Sequence, residues 1–153
     1  MSHTHHLAQL NVATMRAPEG DPQMADFFAN IARINTLGEA TPGFVWRLRD
    51  EDTDNATSLR LFDEMTIVNL TVWESIDALY QYTYYSDHAD IFRRRAEWFH
   101  KAAEAMVVLW WIPAGHIPTL EEAKGRLLHL RAHGPTPHAF TFKQRFPAQG
   151  ADI

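Results

Sequence analysis

Two groups of residues in this chain sit where plain packing does not account for them. The first lies on a helix opened by Ser86. At about 100° per residue, His88, Ile91, Phe92, Arg95, Trp98, Phe99 and Ala102 share one face, while Arg93, Arg94, Glu97, His100 and Lys101 take the opposite side. Arg95 is therefore a guanidinium on an apolar stripe, and a buried charge is unfavourable unless it is paired. Three compensations are open: an ion pair with Glu74 or Asp63, an anionic ligand, or a stem that lifts the charge to solvent. His88 stands near the start of the same helix. The positive end of the helix dipole favours its neutral imidazole. That form serves as a general base or an iron ligand, or simply helps at the cap.

The second group lies on strands. Asn69, Thr71 and Trp73 share a face with Ile67, away from Val68, Leu70 and Val72, and Gln9 and Asn11 form a similar polar minority on the first strand. Amides on a half-buried sheet must find partners. They hydrogen-bond to one another and to the covering helices, or they serve a ligand. Trp73, Tyr80, Tyr84, Phe92 and Trp98 would wall a planar one. Two further histidines occupy stiff, proline-flanked loops, His116 in PAGHIPT and His138 in GPTPHAF. His129 and His133 are four apart on a helix whose apolar face is Leu120, Ala123, Leu127 and Leu130, which points the pair outward. His3, His5 and His6 belong to a terminus that would take only adventitious metal. No carboxylate-rich His cluster, no glycine-rich phosphate loop and no nucleophile elbow occurs.

The elements that must position these residues follow from periodicity. Leu7–Thr14 alternates and reads as a strand. Asp21-Pro22 caps a helix that Met24, Phe27, Phe28, Ile31 and Ile34 carry to about Gly38. Phe44, Trp46 and Leu48 alternate with Val45 and Arg47 in a second strand, and the acidic run from Arg49 to Ser58 is a connector. Met65–Trp73 is a third strand, Ser75–Tyr82 a short helix, and Ser86 opens a longer one to about Ala105. Met106–Ile112 is a fourth strand. Thr119-Leu120-Glu121-Glu122 is a capping box for a helix to about His133, and Ala139–Phe146 reads as a last strand. The order β-α-β-β-α-β with an appended helix and strand is the α+β, ferredoxin-like plan, with helices on one sheet face. The other face needs a cover. Two sheets packed face to face supply one, as a homodimeric barrel, and the appended helix is the alternative cover.

The bulk numbers exclude several classes. The chain has 153 residues, 46% hydrophobic and 22% charged, with five Trp, which suits one globular domain. A net charge of -5 argues against nucleic acid as the main partner. The run Met106–Gly115 is interrupted by Pro113 and is too short for a membrane span. No cysteine is present, so disulfides, thiolate metal sites and cysteine nucleophiles are out. With no leader pattern at the start, the expectation is a cytoplasmic protein, with residues 1–6 and 147–153 as flexible ends around a single domain over 7–146.

The stretches TVWESIDALYQYTYYSDHADIFRRRAEWF and VVLWWIPAGHIPTLEEAKGRLLHLRAHGPTPHAFTF resemble a bacterial family known as a domain of unknown function, DUF3291. That family is grouped with the dimeric α+β barrels. The resemblance spans about Leu7 to Phe146 and implies the fold and a homodimer, without an activity. The wider superfamily includes cofactor-independent monooxygenases that turn polyketide-type phenols or anthrones into quinones, haem-binding enzymes, and small isomerases, cyclases and stress-response proteins. In the monooxygenases a strand-borne Asn four residues before a Trp, an Asn on the first strand and an Arg on the following helix line the pocket. Asn69, Trp73, Asn11 and Arg95 are similar in type and placement.

The resemblance therefore implies an enzyme acting without a cofactor on a hydrophobic aromatic molecule. Asn69 and Arg95 would polarise the substrate, His88 would be the base, and Asn11, Trp73, Tyr80, Tyr84, Phe92 and Trp98 would bind it. One alternative is a haem protein with His88, His116 or His138 as axial ligand. Another is a non-catalytic ligand-binding or stress-response protein.

Overall fold

The computed structural model describes residues 4–148. Four strands form one antiparallel sheet: β1 (His5–Thr14), β2 (Phe44–Arg47), β3 (Thr66–Trp73) and β4 (Val107–Pro113). Their order, β2-β3-β1-β4, is the ferredoxin-like one. β1 and β3 are the inner pair, with Leu7 opposite Trp73, Gln9 opposite Thr71 and Asn11 opposite Asn69. β4 borders β1, with Trp111 opposite Leu7 and Val107 opposite Asn11. The helices are α1 (Ala25–Ala40), α2 (Ile76–Tyr85), α3 (His88–Arg93), α4 (Arg95–Trp98) and α5 (Leu120–His133). No helix among the described residues is long and apolar enough to cross a membrane.

Local chemistry sets several of these bounds. Asp21 accepts from the Gln23 amide across Pro22, which starts a 3₁₀ turn leading into α1. Ser75 caps α2 through the Ala78 amide, and Thr119 caps α5 through the Glu122 amide. Gly43, entering β2, has φ +90°, and a Cβ there would stand 2.5 Å from the Ala78 side chain. The turn and the close approach of α2 both require glycine at this point.

One sheet face carries Ala8, Leu10 and Val12, Val68, Leu70 and Val72, and Val108, Trp110 and Ile112. It packs against Ala123, Leu127 and Leu130 of α5, with Trp46, Leu48, Leu59 and Leu61 at its margin. Leu10, Leu70, Trp110 and Leu127 are fully buried. The face for which the sequence argument sought a twin is thus covered within the chain, by the appended helix and the segment after β2. The opposite face holds two smaller cores. Leu7, Trp73 and Leu109 pack under Leu79 of α2 with Phe140, and Ile67, Met15 and Ala17 pack with Met24 and Trp98.

Three expectations are corrected. The helix expected from Ser86 to about Ala105 is two short pieces. Arg94, at φ -89° and ψ 4°, leaves helical geometry between them. Phe99 is extended, bridges to Met15, and is followed by a bond from the His100 amide to the Thr14 carbonyl. Burial of Trp98 among Met15, Met24 and Phe27 and this bridging draw the chain off the helical path. The last expected strand, Ala139–Phe146, is reduced to two isolated bridges, Ala139 with Thr136 and Phe140 with Leu109. The N-terminal stretch taken as flexible is already strand at His5 and His6. Residues 1–3 and 149–153 of the expected flexible ends lie outside the described residues.

Candidate active site

Across the middle of the helix-covered face runs a polar band. Its rows are Arg47, Thr71 and Gln9, and next to them Asn69 and Asn11. It separates the two cores of that face. Asn69 lies mid-strand on an inner strand, its same-face neighbours Ile67 and Thr71 are buried, and yet it is exposed. The helices therefore leave an opening above it. Gln9 Nε2 donates to both the Asn69 carbonyl, at 3.1 Å, and Asn69 Oδ1, at 3.3 Å. With Oδ1 so engaged, Asn69 Nδ2 has no protein acceptor among the described residues and is left as a donor at the opening. Thr71 is taken up by the Trp73 indole, whose Nε1 donates to Thr71 Oγ1 at 2.8 Å.

From Trp73 a chain of rings leads outward. Its ring centroid is 5.1 Å from Tyr82, Tyr82 is 4.7 Å from His88, and His88 is 6.4 Å from Phe92. Phe92 meets Tyr84 at 5.7 Å, Tyr84 meets Tyr80 at 4.8 Å, and Phe142 touches both tyrosines. The Arg145 guanidinium stands 5.3 Å over Tyr80. The sequence-identified Trp73, Tyr80, Tyr84, Phe92 and His88 are thus brought into one aromatic series, which meets the polar band where the Trp73 indole bonds to Thr71.

Two site residues are not. Arg95 is exposed, donates to the Phe92 carbonyl at 2.9 Å and stacks over the Phe92 ring at 4.1 Å. The break at Arg94 turns it off the stripe, so no buried cation exists there and its role as substrate anchor is withdrawn. Trp98 is buried, but in the other core, 5.6 Å from Phe27, and contributes nothing to the wall.

The buried cation is Arg47, to which the sequence analysis gave no role. Trp46 and Leu48 pack on the α5 face, so alternation sets the Arg47 side chain on the helix side, opposite Thr71, and a register shift between Phe44 and Trp46 brings Phe44 to that side as well. Only 7% of that side chain is exposed. It donates to the Asp54 carbonyl at 2.7 Å and Asp54 Oδ2 at 3.2 Å. Its buried Nε lies 3.5 Å from Glu39 Oε2 without hydrogen-bond geometry. Tyr82 feels it: burial pushes the phenol's pKa far up, against the pull of Arg47. The available signal was an arginine inside an otherwise apolar strand, FVWRL.

His88 has the character of a base. Its Nδ1 is 3.2 Å from the Thr83 carbonyl, which can only accept, so the proton sits on Nδ1 and the lone pair on Nε2. Burial holds its pKa below the ordinary histidine range, and the Thr83 carbonyl opposes this. The sign for stability follows. The unfolded chain takes up this proton at about pH 6.5, before the folded one does, so acidification below that value favours unfolding. His88→Gln will therefore show a smaller fall in urea midpoint between about pH 7 and about pH 5 than the parent chain. Equal falls would place His88 in water instead.

As haem ligands the histidines do not fit. His88 is flanked by Tyr82 and Phe92. His116 is exposed with its Nε2 on Glu122 Oε1, at 2.7 Å. His138 is exposed, with Nδ1 3.0 Å from the Arg126 guanidinium.

The family described as "Domain of unknown function (DUF3291)" has a model that matches residues 6–153. No curated protein matches the chain. Among solved structures the chain is similar to a protein of unknown function from Nitrosomonas europaea, at 13% identity, 77% of this chain, 99% of that one and a TM-score of 0.47. It is similar to a structure from Pseudomonas aeruginosa at 11%, 76%, 100% and 0.49. It is also similar to SnoaB, a cofactor-independent oxygenase from Streptomyces nogalater, at 19%, 73%, 95% and 0.43. Likeness at this level assigns neither residues nor activity.

Proposed function

The chain belongs to the DUF3291 family, and from that premise we propose that it is a small-molecule enzyme of the cofactor-independent monooxygenase type, acting on a planar hydroxylated aromatic. The observation that carries this reading is Asn69, an open amide donor bedded on Gln9 in the middle of an inner strand, on the same sheet face as the aromatic series that starts at Trp73. An open donor with aromatic rings further along the same face suits a substrate that is flat, greasy and acidic at one oxygen. The reaction asks little else of the protein. His88 Nε2 takes a proton from the substrate, and the phenolate or enolate that results is stabilised by Asn69 Nδ2–H in a site of low polarity. Dioxygen accepts electrons from that anion and forms a peroxide at the ring carbon. The peroxide is protonated and loses water, which leaves the quinone; one O₂ becomes one carbonyl oxygen and one water.

Arg47 supports the reading from behind. Its charge lies next to Thr71 and Tyr82 and biases the band toward anions. Assembly as a homodimer is part of the same proposal, and because α5 covers the second sheet face within the chain, a twin docks elsewhere on the surface. The test is oxygen uptake by the purified, colourless protein with anthrone or naphthol-type substrates. Stoichiometric uptake with quinone formation is the expected result. No uptake, with thermal stabilisation by the same compounds, would leave a binding protein and overturn the catalytic reading.

A further inference from the structure

A second constellation lies outside the aromatic series, at the β4 edge of the sheet. There the start of β1, the end of β4, α5 and the loop 134–139 enclose a hollow of about 500 Å³ whose lining includes His5, Trp111, Arg126, His129, Thr136 and His138. It is distinct from the amides of Asn11 and Asn69: Trp111 is opposite Leu7, whereas Asn11 is opposite Val107. In a chain of net charge -5, this lining holds one guanidinium and three imidazoles and no carboxylate. His133 adds a fourth imidazole behind it, its ring 4.5 Å from His129, and His129 lies 4.6 Å from His138 on the other side.

The cationic groups are organised. Arg126 Nη1 donates to the His138 carbonyl at 2.8 Å and faces His138 Nδ1 at 3.0 Å, so the guanidinium ties the loop to α5. Trp111 is fixed by its Nε1–H donating to the Phe146 carbonyl at 2.7 Å, which holds its ring as a flat wall. Thr136 Oγ1 accepts from the His138 and Ala139 amides, and its own proton is free to donate. The carboxylate nearest to Arg126 is Glu122, one turn back on α5, and it is committed to His116 and the Trp110 indole. No group of three or more His, Asp or Glu side chains among the described residues is arranged to hold a metal ion. Imidazoles this close to a guanidinium repel one another's charged forms unless an anion lies between them.

We propose that this hollow binds a small anion, a carboxylate or phosphate head group seated between Arg126, His129 and His138 with its body against Trp111. The groups that face the head group are His5 from β1, Arg126 and His129 from α5, and His138 from the loop, with His133 behind His129 and Glu122 behind Arg126; Trp111 of β4 brings no charge. Binding favours the charged form of His138, which burial and then the neighbouring Arg126 and His129 hold off, because the anion offsets that repulsion. The site tightens on acidification.

The experiment follows the imidazole C–H resonances of the full chain on titration with inorganic phosphate and, separately, with benzoate. The expected result is a saturable shift at His129 and His138 with at least one probe, stronger at about pH 6 than at about pH 8. Arg126→Gln will weaken it about tenfold or more. Because that change also frees the 134–139 loop, His129→Gln is the second variant; it weakens binding while the bond to the His138 carbonyl stays. Tighter benzoate binding identifies a carboxylate on a flat body, and tighter phosphate binding identifies a phosphate ester. Shifts that fail to saturate with both probes, or affinities unchanged in both variants, overturn the proposal.

Discussion

Asn69→Ala will abolish most turnover while leaving the fold almost untouched. The two halves of that expectation have separate causes. Asn69 is exposed, so truncation removes little apolar contact, and Gln9 Nε2 keeps the residue-69 carbonyl as its 3.1 Å acceptor. Surface changes of this kind stay within about 0.5 kcal/mol, and the loss of one part-exposed amide bond raises that to about 1 kcal/mol. The chemistry is more sensitive. A single donor aimed at developing negative charge is worth about 10²–10³ in kcat when it is removed. The measurement is kcat and KM for oxygen uptake in parent and variant, beside a urea midpoint for each. A kcat within a factor of about three of the parent, with the midpoint unchanged, would remove Asn69 from the site. Asn69→Asp sharpens the contrast: it keeps size and shape but sets a carboxylate against the substrate anion, and it will be no more active than alanine.

This expectation rests on a part of the molecule that is legible in the sequence. The polar minority Gln9, Asn11, Asn69 and Thr71 stood out because strands have a strict period of two, and register then forces Asn11 opposite Asn69. The same arithmetic located Trp73, and short-range capping found the turn at Asp21 that leads into α1 and the start of α5. What failed had a long-range cause. Arg95 was assigned to a face by extending one helical phase from Ser86 to Ala105, and a non-helical Arg94 between α3 and α4 resets that phase. The break is fixed by contacts of Trp98 and Phe99 with Met15 and its neighbours, more than eighty residues away in sequence, which no local pattern records. Arg47 was missed for another long-range cause. Alternation sets it opposite Trp46 and Leu48, and that side is buried too, because both faces of the sheet are covered within the chain.

The exchange of one cation for the other changes the electrostatics of the site without removing them. Arg95 would have met a ligand directly. Arg47 is already held by Asp54 and Glu39, both well exposed carboxylates, and acts from within the sheet's edge. Substrate specificity then rests on the aromatic wall and the Asn69 donor, with the guanidinium setting the field behind them.

The largest effect on stability is expected at Leu127. Its side chain is fully buried between α5 and the sheet, beside Trp110, Leu10 and Leu70. Leu127→Ala removes that filling and leaves a cavity, which costs about 2–5 kcal/mol. Leu127→Asp adds an unpaired carboxylate to the same place, and a domain with about 5–15 kcal/mol of total stability will not hold α5 down against it. The apolar face of the sheet then opens, dye binding to exposed hydrophobic surface rises, and the fluorescence of Trp110, which lies directly beneath the helix, moves to the red. Urea midpoints and emission spectra read both variants. The outcome also decides what covers the sheet in solution. If Leu127→Ala cost less than about 1 kcal/mol, α5 would not be the cover, and the face-to-face twin that a bare ferredoxin-like sheet calls for would be the remaining way to keep Leu10, Leu70 and Trp110 dry.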